Sequence, residues 1–175
     1  MADETMIDEK APSRWAAAGR TARWLLGALS LVCGFTWILL TVHGTSAAGD
    51  LTVGTVFAVA GLVLLMPHRI RLPRLVTTLV MVMVAIAGTA AGLARGTERV
   101  SGMYAYIADR GFPVTWAQRG AIADDVDTAE RLAHSANWTV DLISLATNLL
   151  FWAYTGMILV VIAVLIRRKA GESRR

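Results

Sequence analysis

Four long runs without a single formal charge set the limits on what this chain folds into. No Asp, Glu, Lys or Arg occurs between Arg23 and Asp50, between Asp50 and Arg69, between Arg74 and Arg95, or between Asp141 and Arg167. A helix rises about 1.5 Å per residue and a bilayer's hydrocarbon layer is about 30 Å thick, so such runs have the length of membrane spans. The apolar stretches within them are Trp24 to Val42, Leu51 to Met66, Leu75 to Ala94 and Leu142 to Ile166. The second is the shortest, and its reach of roughly 24 Å requires help from neighbouring residues or local bilayer thinning. Composition agrees: 55 % of the residues are hydrophobic and 17 % charged, more apolar than a water-soluble domain of this length.

Orientation follows from the arginines. Arg14, Arg20 and Arg23 precede the first run, Arg69, Arg71 and Arg74 fill the PHRIRLPR connection, and Arg167, Arg168 and Lys169 follow the last. With four crossings these clusters share one side, which the positive-inside rule makes cytoplasmic. The opposite connection, HGTSAAGD, contains no Lys or Arg. The N-terminal stretch before Trp24 is acidic as well as basic, and the apolar run after it exceeds the usual 7 to 15 residues of an export signal, so it reads as an uncleaved first span. Few lysines among the basic residues, with abundant Ala, Gly, Val and Arg, point to a GC-rich bacterial genome and a bacterial plasma membrane.

The expected fold class is therefore all-α: an integral membrane four-helix bundle with a helical extracytoplasmic segment between helices 3 and 4. In domains, residues 1–23 form a cytoplasmic tail, 24–94 three spans, 95–140 the extracytoplasmic segment, 141–166 the fourth span and 167–175 a basic cytoplasmic tail.

Small residues mark where helices approach closely, because lipid offers little hydrophobic drive for association. Gly88 and Gly92 form a GxxxG pattern in the third span; Gly54, Ala58 and Gly61 make a ridge on the second, and Gly27 and Gly34 lie seven apart on the first. In the fourth span a rotation of about 100° per residue aligns Asp141, Ser144, Asn148 and Thr155 on one stripe. Asn148 falls inside the hydrocarbon and needs a partner, for which Thr89, Thr52 and Thr55 lie at a matching depth. An interhelical hydrogen bond of that kind contributes about 0.6 kcal/mol. The alternative is a stripe lining a wet path for a small solute.

In the long connection, ERVSGMYAYIADRGFP places Val100, Met103, Tyr104 and Ile107 at helical spacing, with Gly111 as a stop. A second helix is expected from the capping-box spacing of Asp127 and Glu130, and the recurrence of Ile122, Val126, Ala129, Ala133, Ala136 and Val140 extends it into the fourth span. Phe112 and Trp116 around Pro113 suit anchoring at the headgroup level.

Catalytic signals are thin. His43 and His134 fall on one side and His68 on the other, so no zinc site of three histidines forms. The acidic run around Asp125 and Asp127 with Glu130 and His134 lacks a calcium-loop pattern, and no GxSxG, HExxH, Walker A or GxGxxG motif occurs. Cys33 is single, so no internal disulfide or CxxC pair exists. The pI of about 9.8 comes from arginines that flank apolar runs and do not share a face, which argues against nucleic acid. The expectation is a non-catalytic membrane protein without cofactor or metal. Its partners are the lipid bilayer and either a larger membrane complex, of which it is an accessory, assembly or stabilising subunit, or copies of itself. The second reading is an oligomeric small-solute transporter or channel with Asp141, Ser144 and Asn148 in its vestibule.

Overall fold

A computed structural model describes residues 14–41, 47–66, 73–102 and 104–172. His43, His68, Arg69, Arg71, Met103, the acidic leader 1–13 and the first half of the HGTSAAGD connection lie outside the described residues.

Among the described residues five helices appear: α1 (Arg14–Thr41), α2 (Ala47–Leu65), α3 (Arg74–Gly92), α4 (Val126–Ser135) and α5 (Leu142–Glu172). Three segments, Ala17–Thr41, Leu75–Gly92 and Leu142–Gly171, are long and apolar enough to cross a membrane, while Gly49–Leu65 is shorter. None of these contains proline, and α3 starts directly after Pro73, whose carbonyl accepts the Thr77 N–H and hydroxyl, each at 2.9 Å. At its other end α3 tightens into i→i−3 bonds, with Leu93, Ala94 and Arg95 N–H donating to Ala90, Ala91 and Gly92.

Two helix pairs form, α1 with α2 and α3 with α5, joined by contacts of α2 with α5. Glycine governs the first pair. A methyl placed on Gly34 would sit 2.5 Å from the Ala58 nitrogen, and one on Gly61 2.7 Å from the Gly27 carbonyl oxygen, so the two backbones touch along Gly27, Gly34, Gly54, Ala58 and Gly61. Close approach of this kind is how helices gain dispersion contacts where hydrophobic drive is absent. Between the pairs, Tyr154 is 1 % exposed, meets Phe57 edge-on with centroids 5.5 Å apart, and shares a 2.6 Å hydrogen bond with Ser30 of α1.

The connection between α3 and α5 differs from the all-helical expectation. It contains a four-stranded antiparallel sheet, β1 (Gly96–Ser101), β2 (Ala105–Arg110), β3 (Ala117–Ile122) and β4 (Thr139–Val140), in the order β1-β2-β3-β4. The stretch read as an amphipathic helix is the β1–β2 hairpin, reversed at Gly102 (φ +57°) and Tyr104 (φ +55°). Among the described residues of this connection only α4 is helical, and it does not run on into α5. Ala136 is extended, β4 pairs back onto β3, and a new helix starts at Leu142.

The module has its own small core. Successive strand residues face opposite sides, so Tyr106 and Ala108 of β2 point together at Ala129 and Ala133 of α4, with Ala121 and Ala123 packed alongside. Alanines four residues apart let α4 sit close to the sheet. Its N-terminus is capped by Asp125, two residues before the aspartate expected from the capping-box spacing, with the Thr128 N–H donating to the carboxylate at 2.8 Å.

Hydrogen bonds from Thr128, side chain and then backbone, hold the Asp125 carboxyl below the usual carboxylate range. A folded-state pKa below the unfolded value stabilises the helix fully above the unfolded pKa, and that stabilisation is lost as pH falls through the folded one. Asp125→Ala is expected to loosen α4 at neutral pH, while Asp125→Asn keeps the cap and flattens the acid dependence. Amide exchange of Thr128 against pH reads both.

Candidate functional site

The sheet and the long helices meet at the loop 111–116, and from the polar stripe of α5 the side chain of Asn148 is used there. Gly111, with φ +131°, turns the chain out of β2; a side chain at this position would meet Trp116 Cδ1 at 2.6 Å and the Val114 carbonyl oxygen at 2.7 Å. The loop then drops its backbone between α3 and α5. Asn148, 0 % exposed, engages both peptide groups of Val114: its Nδ2 donates to the Val114 carbonyl at 2.6 Å and its Oδ1 accepts the Val114 N–H at 3.3 Å. A second Nδ2 bond goes to the Ser144 carbonyl at 3.0 Å. One turn on, the Trp152 indole N–H donates to the Phe112 carbonyl at 3.2 Å.

Asn148 is therefore held by loop backbone and not by the threonines of neighbouring helices. Thr55 donates to its own helix at Leu51, and the Thr89 hydroxyl is buried without a hydrogen-bond partner among the described residues. An amide suits the clamp because it alone offers a donor and an acceptor side by side, matching the N–H and C=O of one extended residue.

The GxxxG pattern divides its work. Gly88 receives the Trp152 ring, whose Cδ2 lies 2.2 Å from where a Cβ would be, and Gly92 receives the backbone of Phe112, with the amide nitrogen at 2.9 Å. Phe112 and Trp116 are half-buried. The Phe112 ring lies 6.3 Å from that of Trp152 and under the Arg95 guanidinium at 4.5 Å, so it fastens the loop to the helix pair. Trp152→Phe keeps the ring against Gly88 but removes the donor to Phe112. It is expected to cost about 1 kcal/mol in detergent unfolding, the net worth of one neutral hydrogen bond.

Asp141 and Ser144 are engaged locally. The Asp141 carboxylate accepts the Ser144 hydroxyl at 2.7 Å and the N–H groups of Ile143 and Ser144 at 2.9 and 3.3 Å, capping α5. The Ser144 hydroxyl, then the Ser144 and Ile143 amides, hold its pKa below the usual carboxylate range. Thr155 donates to Phe151 within its helix.

The sheet's two faces differ. Under α4, Trp138 has the Arg110 and Arg119 guanidiniums within 5.4 and 4.7 Å of its ring. Arg119 also meets His134 Nδ1 at 2.7 Å, and His134 approaches Glu130 at 3.6 Å. The opposite face holds a polar cavity of about 350 Å³, lined by Arg99, Asp109, Thr115, Trp116, Gln118, Thr139, Val140 and Asp141. Asp109, 4 % exposed, is ion-paired with Arg99 across the hairpin. Sequence reasoning missed this cavity; only the opposite charges in the two halves of the hairpin hinted at it. Among the described residues no group of three or more His, Cys, Asp or Glu is placed to hold a metal ion. No family model, curated protein or solved structure matches the chain.

Proposed function

We propose that the chain is a four-span protein of a bacterial plasma membrane, with both termini cytoplasmic and the sheet module outside, serving as a non-catalytic accessory, assembly or stabilising subunit of a larger membrane complex. The observation that carries this reading is the clamp of Asn148 and Trp152 on the backbone of Phe112 and Val114. A module braced at its base to two long helices presents a fixed surface to a partner. It is not a mobile lid over a reaction. The arginine clusters at the shared ends of the helices supply the orientation.

Gly49–Leu65 spans about 26 Å as a helix, short of the hydrocarbon layer, and its close contact with α1 supports a fourth crossing. Apolar side chains on α1, among them Leu25, Leu29, Val32, Leu39 and Leu40, are exposed and suit lipid or the helices of a partner. The stripe that would line a solute path is turned to local tasks: Asp141 and Ser144 cap α5 and Asn148 holds the loop, which weighs against the transporter reading.

Purification of the full chain in mild detergent, with mass identification of co-eluting proteins, tests the assignment. A larger membrane protein in fixed stoichiometry is the expected result. A lone homo-oligomer would replace the accessory role by the transporter or channel reading.

A further inference from the structure

The cavity on the open face of the sheet sits where the module joins α5. Its polar walls come from every strand: Arg99 from β1, Asp109 from β2, Gln118 from β3 and Thr139 from β4, closed by Thr115 and Trp116 of the clamp loop and by Asp141 at the helix start. At about 350 Å³ it lies within the range of small-molecule sites, about 300–1,000 Å³.

Its charge is specific. Two carboxylates, Asp109 and Asp141, and one guanidinium, Arg99, line it. Asp109 is almost wholly buried and stays paired, whereas the Arg99 side chain is 64 % exposed, so further guanidinium donors remain open to solvent. Asp141 is kept ionised by its capping bonds and retains acceptor capacity beyond them. The Trp116 indole N–H in the wall has no hydrogen-bond partner among the described residues. The lining thus offers carboxylate acceptors for an ammonium and, at Arg99, guanidinium donors for an anionic oxygen.

The residues just past the wall say where such a ligand comes from. Leu142 and Ile143, next in the chain after Asp141, are 74 % and 80 % exposed, and they begin the most apolar of the membrane-length segments. Large aliphatic groups in that position belong in lipid, which puts the cavity at headgroup level.

We propose that this cavity binds the headgroup of a zwitterionic phospholipid with a primary ammonium, the ammonium between Asp109 and Asp141 and the phosphate on Arg99. It rests on the membrane placement of α5 given above, but not on the identity of any protein partner. A primary ammonium has three N–H donors for the carboxylates and threonine hydroxyls, and a quaternary one has none. A headgroup that is only anionic meets two carboxylates. The bound lipid would tie the sheet to the bilayer at a second point beside the clamp.

The test is lipid titration of the full chain in detergent, read by the rise in Tm and by native mass spectrometry. Short-chain phosphatidylethanolamine is compared with phosphatidylcholine, phosphatidylglycerol and soluble glycerophosphoethanolamine. Phosphatidylethanolamine is expected to bind about tenfold more tightly than phosphatidylcholine, the order of one charge-assisted hydrogen bond lost. The double variant Arg99→Met/Asp109→Leu removes both ends of the pair without stranding a buried charge, and Thr115→Trp fills the mouth while keeping every charge. Each should abolish the preference with helix content unchanged. Equal binding of the three lipids, or a preference that survives in Thr115→Trp, overturns the proposal. Soluble glycerophosphoethanolamine binding as tightly as the lipid would overturn the lipid source. A missing preference alongside an intact co-purifying partner would leave the accessory role standing.

Discussion

Asn148→Leu is expected to destabilise the protein by about 2–3 kcal/mol, because it strands both the N–H and the C=O of half-buried Val114, and each unsatisfied group costs about 1–3 kcal/mol. The size of the effect discriminates between mechanisms. Were Asn148 bonded across to a threonine of another helix, its loss would cost about 0.6 kcal/mol. The geometry gives a clamp on both backbone groups of one residue, with bonds of 2.6 and 3.3 Å, so the larger figure applies. The damage should also be local: amide exchange in 111–116 rises first, and the sheet loosens from the helices while the α1–α2 pair stays intact. Unfolding in mild detergent with site-resolved exchange measures both. A variant that keeps full stability and unchanged protection in the loop contradicts the clamp.

The second large effect is expected at Gly34. In Gly34→Val the first added carbon lies 2.5 Å from the Ala58 nitrogen and 2.7 Å from the Gly54 carbonyl oxygen. These are backbone atoms that cannot swing aside, so α1 and α2 must separate along their whole crossing. Overpacking costs typically 1–3 kcal/mol and more where nothing can yield, so a loss of about 3 kcal/mol is expected, with Gly61→Val alike. Gly19→Ala is the control, since among the described residues nothing lies within 4 Å of a methyl there, and helix propensity alone predicts a slight gain. If Gly34→Val unfolds at the wild-type midpoint, the helices do not meet on their glycines.

The helix contacts were legible because small residues leave a mark that no other part of the chain obscures. Gly27, Gly34, Gly54, Ala58 and Gly61 stand out against Leu, Val and Trp, and they lie on the seam between α1 and α2. The position of Asn148 among apolar neighbours likewise announced a partner. The partner itself was not legible, because it is backbone of a loop more than thirty residues away, and a peptide group has no sequence signature.

The sheet was missed for a related reason. Val100, Tyr104 and Ile107 fall at helical spacing by coincidence, while the period-two face that packs on α4 is made of Tyr106 and Ala108, too small a signal to compete. Ser101-Gly102 and Gly111-Phe112-Pro113 were the turn signals that divide the stretch into strands. The repeat from Ile122 to Val140 also overran its real helix. Ala129 and Ala133 do face the core, but Ala136 leaves the helix and Val140 belongs to β4, where it pairs with Ala117. Alanine fits either period, and tertiary contacts chose between them.

The four proposed crossings would place both chain ends on one side of the membrane and the sheet on the other. Single-cysteine labelling in intact cells tests this directly: with Cys33 replaced, a cysteine is placed near each terminus or at Ser101, the exposed last residue of β1, and treated with a membrane-impermeant maleimide. The account predicts labelling at residue 101 and at neither end until the membrane is permeabilised. Labelling at one end from outside, or protection of residue 101, would mean an odd number of crossings or the reverse orientation.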